Sequence, residues 1–213
     1  MFRCWASVIL ALIVTATYVT SLPGSYAIQR RASKCNGYQD LCNRKYSNVT
    51  HIGAHDSFAV GKLGSLGSNQ EANVTVQLED GIRLLQIQTH ASSGHQDSNP
   101  SGLSLCHTSC ALKNGGTLES YLRQVKQFLN QNKNEVVTLV ITNPDNKPVS
   151  NFAKAFENTG LNSMAYRANS NSISKNDWPT LQELISQNQR VVVFLDYKAD
   201  VNQAKYILPE FQN

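Results

Sequence analysis

Two histidines, His55 and His107, end segments that otherwise read as short strands. Imidazole titrates near neutral pH, so one ring can accept a proton while another donates one. Cleavage of a phosphodiester by a neighbouring hydroxyl needs both acts. A base removes the hydroxyl proton, an acid protonates the departing alkoxide, and the phosphate lies between the two rings. The opposing reading makes each a structural histidine bonded to a backbone carbonyl.

Further polar residues sit where apolar ones are expected. Gln86, Gln88 and His90 alternate with Leu85, Ile87 and Thr89. A strand has a period of two, so the first three share one face. The same rule groups His51, Gly53 and His55, and pairs Leu105 with His107. A polar inward face near the C-terminal ends of parallel strands is where α/β barrels keep their active sites. Polar groups buried there need partners or a ligand. Asp56, beside His55, is placed to orient a ring or to cap a loop.

The elements that must position these residues alternate between strand and helix patterns. Residues 50–57 read as a strand, and 70–80 as a short helix closed by Gly81. Strands follow at 82–89 and 103–107. Residues 117–130 carry apolar side chains at Leu118, Tyr121, Leu122, Val125, Phe128 and Leu129, the stripe of an amphipathic helix. Thr117 is its expected N-cap. An apolar strand is expected at 136–142, a helix at 151–158 stopped by Gly160, and a loop over 162–176. Thr180 and Glu183 stand at capping-box spacing ahead of a further helix. A second apolar strand covers 190–195. Gly61 to Gly67 lacks the pattern of a phosphate cradle and reads as a flexible loop. This alternation implies βαβ units, an α/β class and a mostly parallel sheet. Five strands fit an open doubly wound sheet or an unfinished barrel.

The bulk features set the compartment. Arg3, an apolar run from Ala6 to Val19, and the small residues Ser25 and Ala27 read as a secretory signal peptide over 1–27. The domain is then 28–213, and the protein is expected to be extracellular. Arg3 is the only charge lost with the leader, which turns the net charge of +4 into +3. The basic residues are scattered, with no stripe interleaved with aromatics, so nucleic acid is not an expected partner. Four cysteines remain after the leader, in two local groups: Cys35 with Cys42, and Cys106 with Cys110. They permit three disulfide connectivities, of which the two short loops are expected here. A metal site of Cys106, His107 and Cys110 is the rival. Asn48 and Asn73 head sequons and are expected glycan acceptors.

The segment from His51 through His55-Asp56-Ser57-Phe58-Ala59 resembles the signature of phosphatidylinositol-specific phospholipase C-like phosphodiesterases. Val76-Gln77-Leu78-Glu79-Asp80-Gly81-Ile82-Arg83 resembles their second segment. Leu105-Cys106-His107-Thr108-Ser109-Cys110, with Gly116-Thr117-Leu118 and Glu135-Val136-Val137, is similar to the secreted fungal branch. The resemblance runs from about Cys35 to the C-terminus. It implies a TIM-type barrel, His55 as general base and His107 as general acid. It also implies a phosphoinositide or related headgroup as substrate, cleaved through a cyclic phosphate, with peripheral contact at a membrane surface.

Metal-dependent members carry Glu-x-Asp on the second strand and bacterial members Asp-x-Arg. Here the positions are Gln86 and Gln88. Neutral amides supply neither a charged calcium ligand nor a cation for phosphate. The expected protein is therefore a secreted phosphoric diester hydrolase without metal or other cofactor, in which Asp56, Gln86, Gln88 and His90 bind substrate. The alternative is a non-catalytic barrel that binds a phosphorylated headgroup or sugar. A (β/α)8 barrel needs about 250 residues. The barrel is therefore expected to be partial, with the strand over 190–195 left as an open edge.

Overall fold

The computed structural model describes residues 32–62, 64–92 and 99–213. The leader expected over 1–27 lies outside these residues. The elements run β1 (Gly53–Ala54), α1 (Val74–Glu79), β2 (Leu84–Ala91), β3 (Leu103–Cys106), β4 (Asn114–Thr117) and α2 (Leu118–Gln131). They continue with β5 (Val137–Thr142), α3 (Val149–Thr159), α4 (Leu181–Ser186), β6 (Val191–Leu195) and β7 (Leu208–Pro209).

One seven-stranded sheet has the order β4-β3-β2-β5-β6-β7, with β1 also on β2. It stays open and forms part of a TIM-type barrel. β1, β2, β5, β6 and β7 pair in parallel. β3 and β4 pair antiparallel, which departs from the expected parallel βαβ pattern. β2 is long enough for two neighbours on one side. Gly53 and Ala54 flank its start at Leu84 and Leu85, while Leu105 to Leu103 flank its end at Thr89 to Ala91. The β3 strand thus folds back from the top of β2 and returns its C-terminal end, with His107, to the barrel rim.

Register sorts the side chains into two faces. Leu85, Leu139 and Val193 align across β2, β5 and β6, as do Ile87, Ile141 and Leu195. All six are buried in one cluster with the stripe of α2 and with Phe152, Ala155 and Phe156 of α3. Each fully buried Leu or Phe contributes about 1.5–3 kcal/mol. The opposite face carries Leu84, Thr138 and Val192, then Gln86, Val140 and Phe194. Tyr46 hydrogen-bonds Thr138 Oγ1 at 2.7 Å on this face. Trp178, Leu181, Leu184 and Leu208 join Tyr46 and Val192 in a second cluster.

The helices begin and end where local chemistry directs. Thr117 accepts from Ser120 N to cap α2, and Thr180 with Glu183 forms the capping box of α4. Gly160 ends α3 at φ +67°. Arg190, which is buried, donates to the carbonyls of Leu129 and Asn132 and so caps the other end of α2. Burial lowers its pKa.

Two sequence expectations need correction. Residues 50–57 hold only a two-residue strand, so His51 lies before it and packs on Tyr46, with ring centroids 4.8 Å apart. The strand over 190–195 is not an open edge. Phe194 and Leu195 pair with Leu208 and Pro209, and Ala165 bridges Val191. Neither the Leu208-Pro209 pair nor Asn114-Gly115-Gly116-Thr117 has an apolar alternation that announces a strand. The base of the 61–67 segment is closed by Gly61 N to Gln70 O and Asn69 N to Ala59 O, both at 2.9 Å.

Candidate active site

The site is built at the end of β1 and just after β3, over the polar face of β2. After β1 the chain turns sharply at Asp56, whose φ is +43°. After β3 it turns at Thr108, φ +61°. Left-handed backbone at a residue other than glycine costs roughly 1–3 kcal/mol and persists where surrounding contacts over-determine it. Here those contacts come from β2. Gln86 Oε1 accepts the Asp56 N–H at 2.8 Å, and Gln88 Oε1 accepts the Thr108 N–H at 2.7 Å. A backbone N–H can only donate, so each amide is fixed with its oxygen toward the turn and its NH2 group directed away.

The turn at Asp56 is held from below as well. Ser57 donates its N–H to Gln86 O at 3.0 Å, and its hydroxyl bonds Tyr121 OH. Burial raises the Tyr121 pKa. Gln77 Nε2 bridges the Ser57 and Ala72 carbonyls at 2.9 and 2.7 Å. Phe58 packs on Gly115 so closely that a Cβ there would lie 2.5 Å from its ring. Gln77, Ser57 and Tyr121 are not among the site residues that the sequence predicts. Their types alone do not show that they anchor a distant turn.

The carboxylate of Asp56 is the centre of the cluster. Its Oδ2 lies 3.3 Å from His55 Nε2 and 3.5 Å from His107 Nε2. Two ring nitrogens within 3.5 Å of one oxygen are no further apart than twice that distance. The carboxylate itself is buried (4% exposed), while His55 is open at 68% and His107 at 27%. Asp56 Oδ1 is buried without a hydrogen-bond partner. His107 Nδ1 lies 3.0 Å from the Gly67 carbonyl. Its backbone N–H donates to Lys113 O at 3.1 Å. The Cys106–Cys110 disulfide closes the loop around it, and Cys35–Cys42 forms the second bridge. The local pairing of cysteines therefore stands, and Cys106 and Cys110 are not thiolate ligands.

The structure brings His55, Asp56, Gln86, Gln88 and His107 together. His90 shares their face of β2 but is committed elsewhere. Its Nδ1 lies 3.1 Å from Asp145 Oδ1, and Asp145 Oδ2 accepts the Ala91 N–H at 2.7 Å. That N–H, with the His90 charge as a smaller effect, holds the Asp145 carboxyl below its ordinary value. Asp196, just after β6, accepts from Asn143 N and Tyr197 N, yet burial pushes its carboxyl up. Asp145 and Asp196 follow the C-terminal ends of β5 and β6, a position that could have flagged them.

A calcium ion does not fit this donor set. The two amide oxygens that would face it are taken by backbone N–H groups. Among the described residues, no group of three His, Cys, Asp or Glu side chains has an arrangement that could hold a metal ion.

The sequence model of the PI-PLC X family (PI-PLC X 1) matches residues 41–213. The chain belongs to the PI-PLC X family. Two proteins of Arthroderma benhamiae are similar to this PI-PLC X chain. An uncharacterized secreted protein is 45% identical over 177 residues, which are 83% of this chain and 38% of that protein. A PI-PLC X domain-containing protein 1 is 42% identical over 203 residues, 94% of this chain and 62% of the relative. The chain thus spans less than two thirds of either relative. Among solved structures, the phosphatidylinositol-specific phospholipase C of Listeria monocytogenes superposes with a TM-score of 0.54 at 17% identity. The match covers 74% of this chain and 54% of that enzyme. At that identity the likeness is one of fold.

Proposed function

We propose that this PI-PLC X chain carries the histidine centre of a secreted phosphoric diester hydrolase acting on a phosphoinositide or related lipid headgroup. The observation that carries the proposal is the single buried Asp56 carboxylate within reach of both histidine rings. His55, the more open ring, takes the proton from a substrate hydroxyl. The freed oxygen attacks phosphorus, and the bond to the departing alkoxide breaks. His107 supplies that alkoxide's proton, leaving a cyclic phosphate. One proton enters His55 as one leaves His107, and the Asp56 carboxylate lies beside both rings as the proton count changes. The free NH2 groups of Gln86 and Gln88 are neutral donors for the phosphate oxygens. His90, held by Asp145, would meet a more distal part of the headgroup.

Two disulfides and the secreted relative support an extracellular location. Asn48 and Asn73 are exposed. Asn73 caps α1 through Oδ1, so a glycan on its nitrogen leaves the cap in place. For peripheral membrane contact we assign Leu66 and Leu112, 83% and 43% exposed. Gly67, beside Leu66, approaches Leu112 and provides the carbonyl that holds His107. Exposed leucines on adjoining loops suit shallow insertion among headgroups.

A second reading has its own observation. Lys113, the cation of the His107 loop, turns its Nζ to the Val60 carbonyl. A site with only neutral donors for phosphate fits binding of a phosphorylated headgroup or sugar without turnover. Assay of the purified chain on a panel of phosphodiesters, including soluble chromogenic ones, separates the two. Release of product that is lost in His55 and His107 variants supports the hydrolase. Saturable binding without release supports the binding protein.

A further inference from the structure

The two glutamines of β2 do the same thing at two places. Gln86 holds the N–H of the residue after His55, and Gln88 holds the N–H of the residue after His107. Both held residues have left-handed backbone, and both follow the end of a strand. Gln86 and Gln88 are two residues apart on one strand and point to one face. The loops they hold come from opposite directions, one after parallel β1 and one after antiparallel β3. Their spacing therefore sets the distance between the two histidines.

We infer that Gln86 and Gln88 are the positioning residues of this site, a rigid bracket that fixes His55 and His107 relative to each other. The inference deepens the two-histidine reading above and rests on it for its purpose, though its geometry stands without it. An amide is suited to the task. Its oxygen accepts the turn's N–H while adding no charge beside the Asp56 carboxylate. The disulfide cannot replace it. Cys106–Cys110 closes the His107 loop on itself, whereas the Thr108 clasp ties its middle to β2.

The bracket is asymmetric, and this makes it testable. Gln86 holds Asp56, whose carboxylate touches both rings; Gln88 holds only the His107 loop. Methionine matches glutamine in length and lacks the acceptor. In a histidine-ring correlation spectrum of the full chain, Gln88→Met is expected to displace the His107 resonance and leave His55 in place. Gln86→Met is expected to displace both. His51 and His90, held by Tyr46 and Asp145, should stay unmoved and report that the fold is intact.

On a soluble phosphodiester, each methionine variant should lower kcat by about tenfold to a hundredfold, the scale of a small misplacement of reacting groups. Gln88→Glu keeps an acceptor for Thr108 and should return the His107 resonance toward its wild-type position, whatever the added charge does to turnover. Resonances that stay put in both methionine variants, or that move at His51, His55, His90 and His107 together, would overturn the bracket. If the resonances move as expected but the wild type releases no product, the bracket stands and the hydrolase reading falls. Turnover in the wild type with unmoved resonances sinks the bracket alone.

Discussion

His107 Nδ1 lies 3.0 Å from the Gly67 carbonyl oxygen. A carbonyl only accepts, so this nitrogen carries hydrogen, and Nε2 is left as the atom that exchanges a proton. That tautomer suits an acid whose Nε2 lies beside the Asp56 carboxylate. Replacing His107 or His55 by alanine should each lower turnover of a phosphodiester by about a hundredfold or more. Near-wild-type rates in either variant, measured by product release, would assign that ring a structural role.

Turnover should persist in excess chelator, because the Gln86 and Gln88 oxygens are held by Asp56 N and Thr108 N. Dialysis against a calcium chelator followed by assay is sufficient. Loss of activity that returns with calcium would show ligands outside this donor set.

His51 should make stability depend on pH. Its ring faces Tyr46 and lines a cavity of about 390 Å³ with Val49, Lys175, Trp178 and Phe194. Burial holds its pKa below the ordinary 6.5, against a smaller opposing effect of the Tyr46 backbone. The unfolded chain then binds the proton first as pH falls. The stabilising effect is full above 6.5 and is lost as pH drops through that value toward the folded pKa. His51→Phe should therefore flatten the fall in Tm between about pH 7 and pH 5. Parallel melting curves for the two proteins would refute this assignment.

Leu66→Ser with Leu112→Ser should weaken binding to phospholipid vesicles while leaving turnover of a soluble phosphodiester within about twofold. Leu66 is 83% and Leu112 43% exposed, so replacing them costs the fold little. Vesicle sedimentation measures the first effect. Unchanged sedimentation would remove these loops from the membrane contact.

Whatever depends on neighbours along the chain was legible in the residues alone. The stripe of α2 with its Thr117 cap, the Thr180–Glu183 capping box, the Gly160 stop and both short disulfide loops are local consequences of residue type and spacing. The period of β2 likewise put Gln86, Gln88 and His90 on one face. Tertiary structure alone decided what those residues meet. β3 turns back along β2 rather than crossing over, because the upper half of β2 has a free side that the short β1 leaves unpaired. That return carries His107 to Asp56, and it lets glutamines that the sequence offers as substrate ligands become acceptors for two left-handed turns. His90 was drawn instead to Asp145 on the loop after β5. Hydrogen bonds between segments dozens of residues apart leave no period in the sequence. They arise only once sheet pairing has brought the donor and acceptor into reach.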